Sequence, residues 1–260
     1  MSDFIFSTRE LSKRFGALTV ADKISIDLEV GERRALIGPN GAGKTTFVAL
    51  VSGTVRADSG AIFLLGRDIS GERPDQRARR GLVRTYQINN LFRNLTVLEN
   101  IFLAVSARSG KSGTMSRRAS DHRDLLERSE EIVVRLGLGD DRHRTISEIP
   151  YGRQRLVEIG IALSLDPKVL VLDEPAAGVP SDQASLLLRV LDLLPKHIAI
   201  LMIEHDMQLV RRFATSVSVL VAGALLMTGA PQDVMRSERV RSVYLGHSGG
   251  ARFDAATIHG

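Results

Sequence analysis

The chain has 260 residues, 43% of them hydrophobic, with no cysteine and a formal net charge of +5 at pH 7. That length and apolar content suit one large domain, or one domain with a subdomain, and exclude a disordered chain, while the absence of cysteine excludes disulfides and thiolate metal sites. The basic residues are spread along the chain rather than gathered with aromatics, so a solvated surface and no nucleic-acid partner are expected despite a pI near 9.9.

From Phe4 to Leu28 short apolar runs alternate around Gly16, which predicts antiparallel strands with Phe15 at a turn. Arg34-Ala35-Leu36-Ile37 then reads as a short strand. It leads into Gly38-Pro39-Asn40-Gly41-Ala42-Gly43-Lys44-Thr45-Thr46, a complete GxxxxGK[ST] phosphate-binding loop. Only a glycine-rich backbone curls closely enough to converge many N–H donors on a triphosphate. The helix predicted from Thr45 to Val51 turns its positive end toward the phosphates. Asn40, Gly41, Ala42, Gly43, Lys44, Thr45 and Thr46 are therefore the nucleotide-binding set. Lys44 is expected on the β- and γ-phosphates, the Thr45 hydroxyl on Mg²⁺, and Thr46 toward the α-phosphate.

Beyond the loop, Ala61 to Leu65 reads as a strand, Pro74 opens a short basic helix ending near Gly81, and Leu82 to Tyr86 is another strand. Thr96 and Glu99 have capping-box spacing, so a helix starts at Val97. Ser106 to Ser120 lacks apolar periodicity and reads as an exposed loop. Leu125, Leu126, Ser129, Ile132, Val133 and Leu136 recur at helical spacing. A further helix after Pro150 carries Leu156, Ile159 and Leu163 inward, so an all-helical insertion is expected over roughly 90–165.

From Lys168 the pattern changes to near-continuous apolar runs, Val169 to Leu172, Ile198 to Ile203 and Val217 to Val221, the signature of buried parallel strands separated by helices. The first ends in Asp173-Glu174, placing two carboxylates at a strand end beside the phosphate loop. Asp173 is assigned to Mg²⁺ and Glu174 to the attacking water. Ile203-Glu204-His205-Asp206 brings His205 to the same rim, toward the γ-phosphate. The longest apolar stretches, such as Val217 to Met227, fall short of the ~20 residues that span a bilayer. Met1-Ser2-Asp3-Phe4 lacks the blocks of a secretory leader.

In order and spacing these motifs resemble the ATP-binding subunits of ABC transporters over nearly the whole chain. The resemblance implies an α/β fold: a P-loop NTPase core with a mostly parallel sheet, an N-terminal antiparallel β subdomain and an inserted helical subdomain. It implies a single ATP-binding domain over 1–246, with 247–260 a flexible tail. Phe15 matches the aromatic on which adenine stacks, with ordinary core as the alternative. Gln87 matches the glutamine that senses Mg²⁺ and water and joins core to insertion. Where the family signature usually reads Leu-Ser-Gly-Gly-Gln, this chain has Ile149-Pro150-Tyr151-Gly152-Arg153. Tyr151, Gly152 and Arg153 are thus the expected contribution to a neighbour's γ-phosphate, with Arg153 either adding charge or facing solvent. Pro150 is compatible with a first helical turn. Pro180 stands where an aspartate usually closes the following segment. These changes predict slower hydrolysis at the site this signature completes.

The Tyr-Gly signature, Pro175-Ala176-Ala177-Gly178 and the ending Val243-Tyr244-Leu245-Gly246 look most like the branched-chain amino-acid uptake group, nearest its G-like members. The resemblance implies an ATPase using ATP and Mg²⁺, peripheral on the cytoplasmic face of the membrane. Its partners are a second, different F-like ATPase subunit, two transmembrane permease subunits and, indirectly, a substrate-binding protein. The alternative reading is a soluble ABC ATPase acting on ribosomes or nucleic acid.

Overall fold

Alternation of buried and exposed residues starts the fold at β1, Phe4–Phe15, which turns at Gly16 into β2, Leu18–Ile24, and is followed by the short β3, Asp27–Glu29. The structure is a computed structural model and describes residues 4–85, 91–109, 123–179 and 181–245. Next come β4, Arg33–Ile37; α1, Lys44–Ser52; β5, Ser59–Leu64; β6, Arg67–Asp68; α2, Pro74–Arg80; and β7, Leu82–Arg84. The helical region holds α3, Val97–Arg108; α4, Arg123–Arg135; and α5, Tyr151–Ser164. The chain continues with β8, Val169–Asp173; α6, Ser181–Asp192; β9, Ala199–Ile203; α7, Met207–Phe213; β10, Ser216–Val221; β11, Ala224–Gly229; α8, Pro231–Arg236; and α9, Glu238–Leu245.

Among the described residues the strands form two sheets. One has the order β2-β1-β5-β6 with β3 also paired to β1, and these pairings are antiparallel as the N-terminal alternation predicts. The other has six strands in the order β11-β10-β4-β9-β8-β7. Its inner pairings, β10–β4, β4–β9 and β8–β9, are parallel, and these strands are buried along most of their length, which accounts for their apolar runs. The β10–β11 pairing is antiparallel. Val221 opposes Ala224, and both intervening residues have positive φ, Ala222 at 47° and Gly223 at 82°. That is the backbone of a type I′ hairpin turn.

Contacts divide the chain into two compact units. The first is drawn from Met1–Leu82, Lys168–Pro175 and Lys196–Gly260, the second from Val83–Pro167 and Ala176–Pro195. Thr96 caps α3 as its spacing requires, accepting from the Glu99 backbone N–H at 3.2 Å while the Glu99 carboxylate accepts from the Thr96 N–H at 2.7 Å. Leu125, Ile132, Val133, Leu136, Leu156, Ile159 and Leu163 are buried, in keeping with the helical periodicity.

One expectation needs correction. The strand expected over 82–86 ends at Arg84, and Tyr86 lies outside the described residues. Helix α6 groups with the helical unit, not with the sheet core, because its buried Leu187, Leu188, Val190 and Leu191 form an apolar face and α6 packs on α5. The basic helix α2 is not wholly solvated. Arg77 is 3% exposed, and its guanidinium donates to the Leu50 and Val51 carbonyls at 2.7 Å each, to Ser70 O at 2.8 Å and to Glu72 O at 3.0 Å. It thereby closes the C-terminal end of α1, where unpaired carbonyls gather. Burial lowers its pKa.

Candidate functional site

The buried residues of β4 carry the chain into the loop Gly38–Gly43, and α1 begins at Lys44. Gly43 is the N-cap with φ 99°, and a Cβ built there would meet the Val20 carbonyl oxygen at 2.4 Å. A Cβ at Gly38 would meet Leu220 O at 2.2 Å. Both positions therefore need glycine. The Phe47 N–H donates to Gly43 O at 2.8 Å, so the donors ahead of it lie at the positive end of α1. The β10–β11 turn braces the loop from outside: Gly223 N–H donates to Ala42 O at 2.9 Å, and Gly223 O accepts from Asp22 N–H at 2.8 Å.

Lys44 is buried and folds back over the loop, its ammonium donating to Gly38 O at 2.7 Å and Pro39 O at 3.0 Å. Burial lowers its pKa, against the opposing pull of Glu174 and then Asp173. Lys44 thus senses both carboxylates electrostatically. Asn40, Gly41 and Thr45 are exposed, Thr46 is half-buried and Ala42 is buried. Tyr244 of α9 packs in the same apolar cluster as Ile37, and burial pushes its hydroxyl pKa up, with the Gly38 backbone opposing.

The acid pair ends β8, whose residues Val169 to Leu172 are fully buried. Its strand does not adjoin β4: β9 lies between them. In register, Ile203 opposes Leu36 on one side and Asp173 on the other. The ends of three parallel strands therefore deliver the loop, His205 and the acid pair to one edge of the sheet, the usual position of sites in open α/β sheets. Glu174 has φ 46°, a conformation costing a non-glycine residue about 1 to 3 kcal/mol. Its N–H donates to Ile203 O at 3.0 Å. His205 is 44% exposed at its side chain, and the carboxylate of buried Glu204 accepts from the His205 and Asp206 backbone N–H groups at 3.0 and 3.4 Å. Asp206 caps α7 by accepting from Gln208 and Leu209 N–H. Phe15 is 52% exposed, with Lys13 Nζ 5.4 Å from its ring centroid, so the core alternative for Phe15 fails.

In the helical unit, Pro150 is the N-cap of α5, one residue before the first turn in which it was expected. The Arg153 and Gln154 N–H groups donate to its carbonyl at 2.9 and 3.1 Å. Tyr151 opens the helix and is exposed, whereas Gly152 is buried. Arg153 neither lies free in solvent nor presents an unpaired charge, because it is ion-paired with buried Asp141. Gln154, which sequence reasoning passed over, is buried and donates to Ile146 O at 3.0 Å and Ile149 O at 2.9 Å, tying α5 to the segment before it. Gln87, Pro180 and the tail 247–260 lie outside the described residues.

Residues 21–177 match the family described as ABC transporter. The chain belongs to the ABC transporter family. It is 33% identical over 245 residues to the probable branched-chain amino acid transport ATP-binding protein LivG of Archaeoglobus fulgidus, covering 93% of this chain and 95% of that one. It is 36% identical over 258 residues to the high-affinity LivG of Salmonella typhimurium, covering 95% and 100%. Among solved structures, a nucleotide-free ATP-binding cassette from an ABC transporter superposes with a TM-score of 0.82 at 30% identity, covering 93% of this chain and 98% of that one. A cassette in its ADP conformation gives 0.81 at 29%, covering 94% and 99%. This ABC transporter family member is an ATPase of the cassette fold, with the expected mixed antiparallel and parallel sheets. Among the described residues, no helix is long and apolar enough to cross a membrane, and no three His, Asp or Glu side chains cluster as a metal site.

Proposed function

We propose that this chain is the ATP-hydrolysing subunit of an importer for branched-chain amino acids or a related small organic substrate, peripheral on the cytoplasmic face of the membrane. The observation that carries this reading is the meeting of a glycine-walled phosphate loop with Lys44 under the joint influence of Glu174 and Asp173, in a chain whose relatives are named for that transport. The alternative of a ribosome- or nucleic-acid-directed ATPase finds no support among these relatives.

The residues fit Mg-ATP. Backbone donors at the start of α1 adjoin a loop in which Gly38 and Gly43 leave no room for a Cβ, and Lys44 can exchange its contacts with Gly38 and Pro39 for phosphate oxygens. One carboxylate, Asp173, and the exposed Thr45 hydroxyl suffice for a cation that takes its remaining ligands from phosphates and water. A Mg²⁺ ion held there would supply neutralisation of the triphosphate charge. Glu174 orients and deprotonates the attacking water, His205 holds the γ-phosphate, and Gln87 reports the state of the site to the helical unit. Phe15 offers its exposed ring to adenine, where stacking is worth about 1 to 3 kcal/mol. Tyr151 and Gly152, at the positive end of α5, complete the site of a second, different ATPase subunit. Two permease subunits and a substrate-binding protein complete the transporter.

Two experiments test the proposal. Glu174→Gln should retain ATP binding and lose at least about 100-fold in turnover, and an active variant would remove Glu174 from its role. Tagged full-length chain should co-purify from its native cells with integral membrane proteins, and deleting its gene should abolish high-affinity leucine uptake. Recovery with ribosomes or DNA, with uptake intact, would refute the reading.

A further inference from the structure

Helix α5 carries Tyr151, Arg155 and Glu158 at spacings of four and three, which places them on one face. Glu158 is 7% exposed. Its Oε2 accepts from Arg155 Nη1 at 2.9 Å, while Oε1 and Arg155 Nε are buried with no hydrogen-bond partner among the described residues. Arg155 also donates through Nη2 to the Tyr151 hydroxyl at 3.0 Å, and its guanidinium lies 5.3 Å from the centre of the Tyr151 ring. The Tyr151 hydroxyl in turn donates to Ala177 O at 3.4 Å, and the ring lies 3.5 Å from where a Gly178 Cβ would stand. One chain of contacts thus runs from a buried carboxylate through a guanidinium and a phenol to the turn that follows the acid pair.

Such a chain is a poor device for stability. A buried ion pair often does no better than apolar residues of the same volume, and this one leaves two polar atoms unmatched. What it does achieve is geometric, because a planar fork anchored on Glu158 at one end fixes the Tyr151 phenol at the other. We propose that Arg155 and Glu158 are positioning residues that lock Tyr151 against the Ala177–Gly178 turn, so that the start of α5 and this turn present one rigid surface to the nucleotide of a partner subunit. The assignment rests on the reading that Tyr151 and Gly152 complete a neighbour's site.

The test measures ATP turnover against ATP concentration for the full-length chain assembled with its transporter subunits, together with the Kd of a fluorescent ATP analogue for the chain itself. Arg155→Met and Glu158→Leu should each lower kcat about tenfold, and the double variant should fall no further than either single change, because the two act as one unit. Arg155→Lys should fail to rescue, since it keeps the charge and loses the fork. The Kd should stay within about twofold throughout, because the chain's own phosphate loop is untouched. Tyr151→Phe, a change at an exposed side chain, should also lower kcat, and it carries the test if a buried variant does not fold. Unchanged kcat, additive losses, or a Kd rising in step with the lost turnover overturns the inference. Gly152→Asp serves as the control. If it leaves kcat intact, the reading of the signature fails and this inference fails with it. If it abolishes turnover while the Arg155, Glu158 and Tyr151 variants do not, only the positioning role is refuted.

Discussion

Replacing Glu158 by glutamine gives a prediction whose size follows from the structure. Burial raises the Glu158 pKa from 4.5 to about 7, with the Arg155 hydrogen bond and charge opposing. The folded state therefore holds this proton more tightly than the unfolded chain does. The stability from this group is fully present below pH 4.5 and is lost as the pH rises through about 7. At about 1.4 kcal/mol per pH unit, a displacement from 4.5 to about 7 corresponds to about 3 kcal/mol. Glutamine keeps the shape and polarity of the protonated acid but does not titrate. The variant's unfolding free energy minus that of the natural chain should therefore grow by about 3 kcal/mol between about pH 4.5 and pH 8. Urea denaturation of both proteins across that range measures the difference, and the titrations they share cancel. A difference that stays flat with pH, or that shrinks as the pH rises, would show that burial does not raise the Glu158 pKa.

Other perturbations follow from named contacts. Arg77→Ala should cost about 3 kcal/mol or more, seen as a lower urea midpoint, because it strands the buried Leu50 and Val51 carbonyls at the end of α1. Gly43→Ala forces a Cβ against Val20 O and should both destabilise the fold by about 2 kcal/mol or more and abolish nucleotide binding by calorimetry. Lys44→Ala should abolish productive ATP binding with little loss of stability, since it removes a charge that burial disfavours. In single-turnover assays of an assembled heterodimer, the site completed by Tyr151–Gly152 should turn over more slowly than one completed by an intact signature, and equal rates would refute this.

The phosphate loop, the acid pair and the Thr96–Glu99 capping box were legible in the residues because each depends on backbone geometry over a few consecutive positions. A glycine has to stand where φ is 99°, and a carboxylate three residues into a helix reaches back to its cap. The buried strands were legible for a related reason, since a strand covered on both faces must be apolar throughout. The alternation of Phe4 to Leu28 likewise marked strands with one face buried.

Other features depend on what packs against each residue from a distance along the chain. Nothing local to Arg77 distinguishes it from the solvated arginines beside it on α2. It is buried because the end of α1 lies against it. The insertion of β9 between β4 and β8, the bracing of Ala42 by Gly223, the pairing of Arg153 with Asp141, and the lock from Glu158 to Ala177 all join residues far apart in sequence. The sequence by itself determined the glycine-built loop and the carboxylates at the end of β8, because these rest on short-range backbone constraints. Only the tertiary structure decided which charged side chains are buried and what each one holds in place, because desolvation depends on neighbours that spacing along the chain does not specify.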